Sequence, residues 1–251
     1  MQKKITTTAA LAMSAEQFVK KLKTYTSPVE LKKYQRYFKF SPPEADQPLK
    51  GDEFIGVRMG QVFALAKEFI DMRPEEIEKL LENPIHEVRA GALSIMGKQA
   101  SSKKTSEGRL KELYDLYIRR HDRINNWDLV DLAAYYVVGR YLADKPRNIL
   151  YKLARSKNTW ERRTAIVSTA HFIRQGDVAD TFKIAGMLVN DVQDLIHKAT
   201  GWMLRYAGDK DRERLLSFLD EHAATMSRVA LRNAIEHFDK KQRDHYLSMK
   251  Y

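Results

Sequence analysis

The sequence contains no cysteine, and only 11 of its 251 residues are glycine and seven are proline. The absence of cysteine excludes disulfides, thiolate metal ligands and a cysteine nucleophile, and it is typical of a protein in a reducing compartment. No run of about eighteen apolar residues occurs, which argues against a membrane span, and the first residues are too polar for a secretory signal. We therefore expect a cytoplasmic protein.

Acidic residues are also fewer than basic ones. The chain has 44 lysines and arginines against 33 aspartates and glutamates, a formal net charge of +11 at pH 7. Hydrophobic residues make up 43% of the sequence, which is enough for a sizeable core and excludes wholesale disorder. The positive excess calls for an anionic partner, and nucleic acid, an acidic protein and a membrane surface all fit it.

Apolar residues recur at helical intervals along most of the chain, as in Val62, Leu65 and Phe69, and β-branched alternation is almost absent. This pattern predicts an all-α protein. Helix breaks are expected at five dipeptides: Arg73-Pro74, Asn83-Pro84, Lys145-Pro146, Gly176-Asp177 and Gly208-Asp209. We expect one domain over residues 1–251, with a flexible tail at 1–13 and a long loop at 41–56.

Five short segments resemble one another and begin at Glu87, Leu129, Glu161, Ile196 and Ala230. Intervals of roughly 30 to 45 residues in a helical chain indicate a solenoid, and the segments resemble HEAT-like repeats. Tandem HEAT-like helix pairs form a right-handed superhelix with a concave face, and equivalent positions are predicted to line it as a basic groove. We call the third position of the segments the repeat column, and its members are Arg89, Asp131, Arg163, Lys198 and Arg232.

Asp131 is the acidic exception in the repeat column. One interpretation is a capping or helix-bridging aspartate. The other is a functional carboxylate, because Trp127 lies one helical turn before it and Trp202 lies one turn after Lys198. Each tryptophan taken alone is equally compatible with core packing.

Three separated motifs carry a more specific resemblance. They are Asn126-Trp127-Asp128-Leu129-Val130-Asp131, Trp160-Glu161-Arg162-Arg163-Thr164-Ala165-Ile166 and Lys198-Ala199-Thr200-Gly201-Trp202-Met203-Leu204-Arg205. In order and spacing they resemble the motif series of the AlkD-type DNA alkylation repair glycosylases, which are HEAT-like repeat enzymes. The resemblance spans roughly residues 30–240 and extends to Phe54-Ile55-Gly56-Val57-Arg58, which is similar to the family's segment leading into its next helix.

The resemblance implies a role for individual residues. Asp131 matches the catalytic aspartate, Trp127 and Trp202 match two groove tryptophans, and Arg163 matches the arginine opposite the aspartate. Further DNA contacts are implied for Arg205 by the resemblance and for the basic column members Lys198, Arg89 and Arg232 by their position. Tyr34 is similar to a family tyrosine that touches DNA, and Tyr37 is an equal candidate.

The resemblance further implies hydrolysis of the N-glycosidic bond of N3- or N7-alkylated purines in duplex DNA by a monomer that needs neither metal nor cofactor. We expect it to act near the nucleoid, with no membrane and no obligate protein partner. The histidines show no metal-binding spacing, and nucleotide-binding and zinc-hydrolase motifs are absent. Two other function classes stay open: a non-catalytic protein that binds damaged, bent or branched DNA, and a helical-repeat protein scaffold.

Overall fold

The structure is a computed structural model that describes residues 13–38 and 52–249, without the side chains of Gln35, Tyr37 and Phe38. Within these ranges every regular element is helical, and the only extended pairing is an isolated bridge between Glu53 and Ile85. The all-α prediction is confirmed, and the helix pairs are those expected of an α-solenoid. The predicted tail, up to residue 12, and residues 41–51 of the predicted loop lie outside the described residues.

The chain divides into two compact units, Met1–Val137 and Val138–Tyr251, and each is described by itself. The helices of unit 1 are α1 (Ala15–Lys23), α2 (Pro28–Phe38), α3 (Met59–Glu68), α4 (Pro74–Leu81), α5 (His86–Ser101), α6 (Glu107–Arg119) and α7 (Trp127–Ala133). A short 3₁₀ turn over His121–Arg123 precedes α7, and a π-helical turn over Ala134–Gly139 follows it. That turn leads into unit 2.

Unit 2 continues the same alternation of helices. Its helices are α8 (Asn148–Ala154), α9 (Thr159–Ser168), α10 (Ala170–Arg174), α11 (Ala179–Leu188), α12 (Asp194–Gly208), α13 (Arg212–His222), α14 (Arg228–Ala234) and α15 (Lys240–Ser248). No helix in the described part of the chain is long and apolar enough to cross a membrane.

Polar side chains fix the starts of many helices. Ser106 accepts a hydrogen bond from the Arg109 amide at the start of α6, and Asn158 accepts one from the Trp160 amide at the start of α9. Such caps satisfy amide groups that have no partner inside the helix. The predicted breaks are also confirmed: Pro74 is the first residue of α4, Gly176 has φ +88° between α10 and α11, and Gly208 ends α12.

One helix lies at the centre of each unit, α5 in unit 1 and α12 in unit 2. In unit 1, α5 packs against α3, α4 and α7, and all its residues from His86 to Gly97 are buried. In unit 2, α12 packs against α9, α11, α13 and α14. A helix surrounded in this way buries nearly its whole circumference, which explains why α5 carries small and apolar residues on every side.

Candidate functional site

The helix starts define the register of the repeat column. Asp131, Arg163, Lys198 and Arg232 each lie five residues after the N-cap of their helix, and these N-caps are Asn126, Asn158, Gln193 and Ser227. Arg89 lies only four residues after its N-cap, Ile85. The column is therefore regular from Asp131 onward, and the position that corresponds to Asp131 in α5 is Ala90.

The environment of Arg89 corrects the prediction that it lines the groove. Its side chain is 0% exposed, and its guanidinium donates to Asp52 at 2.5 Å and to the carbonyls of Asn83 and Pro84 at 2.9 and 3.0 Å. Burial lowers the pKa of Arg89, while the charge of Asp52 opposes this shift. Arg89 thus ties residue 52 and the α4–α5 connection to α5 and is not available to DNA.

Arg162, rather than Arg163, is the structural counterpart of Arg89. Its guanidinium donates to the carbonyls six and five residues before it, those of Ser156 and Lys157, both at 2.9 Å, and pairs with Asp191 at 2.6 Å. The ring of His197 contacts the carbonyl of Asp191, again six residues earlier. In α5, α9 and α12 this position therefore supports the loop before the helix, whereas the next position is that of the repeat column.

Helix α7 carries the two residues on which the predicted chemistry depends. Asn126 is buried and its side-chain oxygen accepts the Trp127 amide at 2.8 Å, which starts the helix. Asp131 is the fifth residue of the helix, so Asn126 rather than Asp131 is the cap. Trp127 and Asp131 are both partly exposed and lie one turn apart on the same face. The π-helical turn begins three residues after Asp131, and such turns are frequent at functional sites.

A second carboxylate beside them, Asp128, has a structural role. Its carboxylate lies 2.7 Å from Nε2 of the fully buried His86 and also accepts the Leu129 amide at 2.9 Å. The His86 ring stacks on Phe54 with 4.8 Å between centroids. This contact holds the first turn of α7 against α5, which separates a supporting carboxylate, Asp128, from the candidate catalytic one, Asp131.

The segment before α3 is organised around Glu87, which the sequence did not single out. Glu87 is fully buried and accepts backbone amides from Ile55 at 3.1 Å, Gly56 at 2.8 Å and Val57 at 3.3 Å. Gly56 has φ +75°, and a Cβ there would lie 2.3 Å from the carbonyl of Ser27. The glycine of the Gly56-Val57-Arg58 motif is therefore required by backbone geometry and close approach.

Tyr34 lies in the same region. Its hydroxyl donates to the carbonyl of Val57 at 2.8 Å, and its ring lies 6.2 Å from that of Phe54. Burial raises the pKa of Tyr34, and the negative charge of Glu87 adds to the shift. The structure thus gives Tyr34 a supporting contact, and its predicted contact with DNA stays a prediction. The side chain of the alternative, Tyr37, lies outside the described residues.

Unit 2 holds the other predicted site residues. Arg163 is 5% exposed, and its guanidinium donates to the carbonyl of Leu195 at 2.6 Å, which links α9 to the first turn of α12. Trp202 is partly exposed on α12, with its ring 6.2 Å from that of the exposed Tyr206. Trp202 therefore presents part of its ring to the surface, whereas Arg163 is largely committed to the helix junction.

The remaining predicted DNA contacts differ in how they are engaged. Lys198 pairs with Asp194 at 2.6 Å on an exposed face of α12, and Arg205 forms an ion pair with Glu236. Arg232 is exposed on α14. Phosphate has to compete with a carboxylate at Lys198 and Arg205.

Residues 13–38 and 52–249 contain no group of three or more histidine, aspartate or glutamate side chains arranged to hold a metal ion. The supporting roles of Glu87 and His86 were not identified from the sequence. Only Asn126 gives a local signal, since it is a preferred capping residue before a helix.

Comparison with known proteins identifies the family of the chain. The family model for DNA alkylation repair enzymes matches residues 18–238, and the chain belongs to this family. Its fold is similar to a structure described as a predicted DNA alkylation repair enzyme from Enterococcus faecalis, with a TM-score of 0.66, 18% identity, and coverage of 86% of this chain and 97% of the other. No curated protein matches. Membership of the family supports a role in the repair of alkylated DNA.

Proposed function

We propose that the protein is a DNA glycosylase that hydrolyses the N-glycosidic bond of N3- or N7-alkylated, cationic purines in duplex DNA. The observation that carries the proposal is the pairing of Trp127 and Asp131, partly exposed and one turn apart on α7, in a chain of the DNA alkylation repair enzyme family. The excess of basic residues fits DNA as the partner.

The chemistry follows from the charge of the substrate. A purine alkylated at N3 or N7 is cationic, so it leaves with the electron pair of the glycosidic bond without needing a general acid. Positive charge then moves onto the sugar, and the Asp131 carboxylate stabilises it. Water forms the new bond to the anomeric carbon, and its proton passes to the carboxylate or to solvent.

The other proposed residues have supporting roles. The face of Trp127, on the same helix as Asp131, packs against the sugar and attracts its developing positive charge. Trp202, partly exposed on α12, is a further contact with DNA on unit 2. Arg205, Lys198 and Arg232 contact phosphates, and Arg163 of α9 adds positive charge where its guanidinium meets the first turn of α12.

The decisive test replaces Asp131 with asparagine, which keeps the shape and removes the charge. A carboxylate about 4 Å from a cation contributes on the order of 4 kcal/mol at an effective dielectric near 20, or about a thousandfold in rate. We expect Asp131→Asn to retain its fold and DNA binding and to lose most release of 7-methylguanine from methylated duplex DNA in single-turnover assays.

Asp128→Asn is the matched control, because it makes the same chemical change three residues earlier on α7. It weakens the contact with His86, so we expect a lower unfolding temperature and base release that persists in the folded fraction. Undiminished base release by Asp131→Asn would refute the assignment of this residue. DNA binding without base release by the wild-type protein would instead identify a non-catalytic relative.

A further inference from the structure

A pocket of about 240 Å³ opens on unit 1 between α3, α5 and the turn that follows α7. It is lined by Phe63, Ser94, Gly97, Lys98, Ser101, Leu132 and Tyr136. Phe63 and Tyr136 are 36% and 39% exposed, although they are large aromatic residues. Exposed aromatic rings grouped around one depression indicate a binding surface.

The pocket combines apolar and cationic character. The ammonium of Lys98 lies 6.0 Å from the centroid of the Phe63 ring. Ser94, which is 5% exposed, and Ser101, whose hydroxyl donates to the Lys98 carbonyl at 3.0 Å, lie on the same side of α5. None of the seven lining residues is acidic. An anion that carries an apolar portion therefore meets attraction here and no repulsion from a lining carboxylate.

Gly97 and the π-helical turn create this shape. A Cβ on Gly97 would lie 2.6 Å from the carbonyl of Leu132 and 3.6 Å from the Tyr136 ring, so only glycine lets α5 approach α7 so closely. The π-helical turn carries Tyr136, and the pocket residue Leu132 directly follows Asp131 in sequence. The pocket is thus built on the helix that carries the proposed catalytic carboxylate.

We propose that the pocket binds one sugar–phosphate unit of the DNA strand near the lesion. The Phe63 and Tyr136 rings pack against the deoxyribose, and the Lys98 ammonium contacts the phosphate. A cavity of about 150 Å³ accommodates a benzene ring, so the volume suits one sugar rather than a longer segment. The proposal rests on the proposed function, because it takes duplex DNA as the partner.

Phosphate ethylation interference with a duplex oligonucleotide tests the contact directly. In the wild-type protein, ethylation of a phosphate held by Lys98 weakens binding, and with Lys98→Gln this interference disappears at that phosphate alone. The slope of log K against log salt falls by about 0.9 in the same variant. Lys111→Gln is the matched control, because Lys111 is exposed on α6 and paired with Asp115 at 2.5 Å. It should leave the pattern and slope unchanged.

The aromatic rings are tested by Phe63→Ala and Tyr136→Ala. Each should weaken DNA binding roughly three- to tenfold through lost apolar contact, with an unchanged salt slope, and circular dichroism checks that each variant is folded. An interference pattern that is the same in Lys98→Gln and wild type, with undiminished base release, overturns the pocket proposal and leaves the proposed function standing. A second outcome is that the interference disappears in Lys98→Gln while the wild-type protein releases no base. This result supports the pocket proposal and overturns the glycosylase proposal.

Discussion

At the residue scale, a shift of one position along the helix separates the environments of two basic side chains, Arg89 and Arg232. Arg89 and Arg232 looked equivalent in the aligned segments, yet Arg89 is fully buried and Arg232 is exposed. Arg89 lies four residues after the helix N-cap and Arg232 lies five, which turns the side chain by about 100°. The buried guanidinium of Arg89 stabilises the fold, whereas the exposed guanidinium of Arg232 is accessible to phosphate.

Arg89→Leu should therefore act on stability. The substitution leaves Asp52, itself nearly buried, without the partner that it has at 2.5 Å, and breaking a buried pair in this way costs about 3–5 kcal/mol. Arg232→Leu makes the same change at an exposed site and should alter the free energy of unfolding by no more than about 0.5 kcal/mol. Urea denaturation measures both, and equal effects would contradict the assigned register.

A tyrosine in unit 2 provides a test that depends on pH. Burial, followed by the hydrogen bond to Asp180, raises the pKa of Tyr151 from 10.0 to about 12. Because the pKa is higher in the folded state, the stabilisation is fully present below pH 10 and is lost as the pH rises toward 12.

The stability difference between wild type and Tyr151→Phe should accordingly be constant up to about pH 9 and shrink above about pH 10. Denaturation at several pH values measures it, and the ultraviolet absorbance of tyrosinate reports the titration directly. Tyr246→Phe is a parallel case, because Tyr246 donates to Asp220 at 2.9 Å and its pKa is also raised to about 12. A difference that grows with pH would show that the sign is wrong.

At the scale of elements, the sequence predicts helices well where the signal is local. Asn126, Asn158 and Ser227 are of the residue types that cap helices, and α7, α9 and α14 each start directly after one of them. The start of α5 has no such signal: Ile85 makes no side-chain cap, and the His86 amide donates instead to the carbonyl of Glu53 at 2.8 Å. This contact joins residues far apart in sequence, which is why the sequence alignment placed Arg89, instead of Ala90, opposite Asp131.

Candidate site residues follow the same division. Trp127 and Asp131 were identifiable because both lie on one helix, so their spacing alone places them on one face. Glu87 and the contact of His86 with Asp128 depend on packing between elements, and no spacing in the sequence reveals them. The residues that support the candidate site are therefore the ones that the sequence alone does not reveal.

The close packing of second helices gives a further prediction. A Cβ on Gly201 of α12 would lie 2.4 Å from the carbonyl of Ala230 and 2.7 Å from Cβ of Asn233 on α14. Gly201→Ala should force these helices apart and destabilise the protein by about 1–3 kcal/mol. Gly60→Ala on α3 is the control: nothing lies within 4 Å of the new methyl group, so it should stabilise by up to about 1 kcal/mol. Thermal unfolding compares them, and stabilisation by Gly201→Ala would contradict the packing of α12 on α14.

At the scale of the whole molecule, the net charge of +11 overstates the surface available to an anionic partner. Arg89 and Arg162 are bound to carboxylates and carbonyls inside their units, and Arg147 is held by Asp177 and Asp180, each at 2.6 Å. Lysines and arginines thus divide into those that hold loops and helix junctions and those that remain on the surface. Only the second group can release counterions from DNA.

Salt dependence separates the two groups experimentally. Each side chain that neutralises a phosphate contributes about 0.9 to the slope of log K against log salt for duplex DNA. We expect Lys198→Gln and Arg232→Gln each to reduce that slope by about this amount without changing the free energy of unfolding appreciably. Arg162→Gln, whose side chain is engaged with Asp191, should lower stability and leave the slope of the folded protein unchanged. If the slope responds to Arg162 and ignores Lys198 and Arg232, the binding surface lies elsewhere on the molecule, because counterion release reports only the cations that meet phosphate.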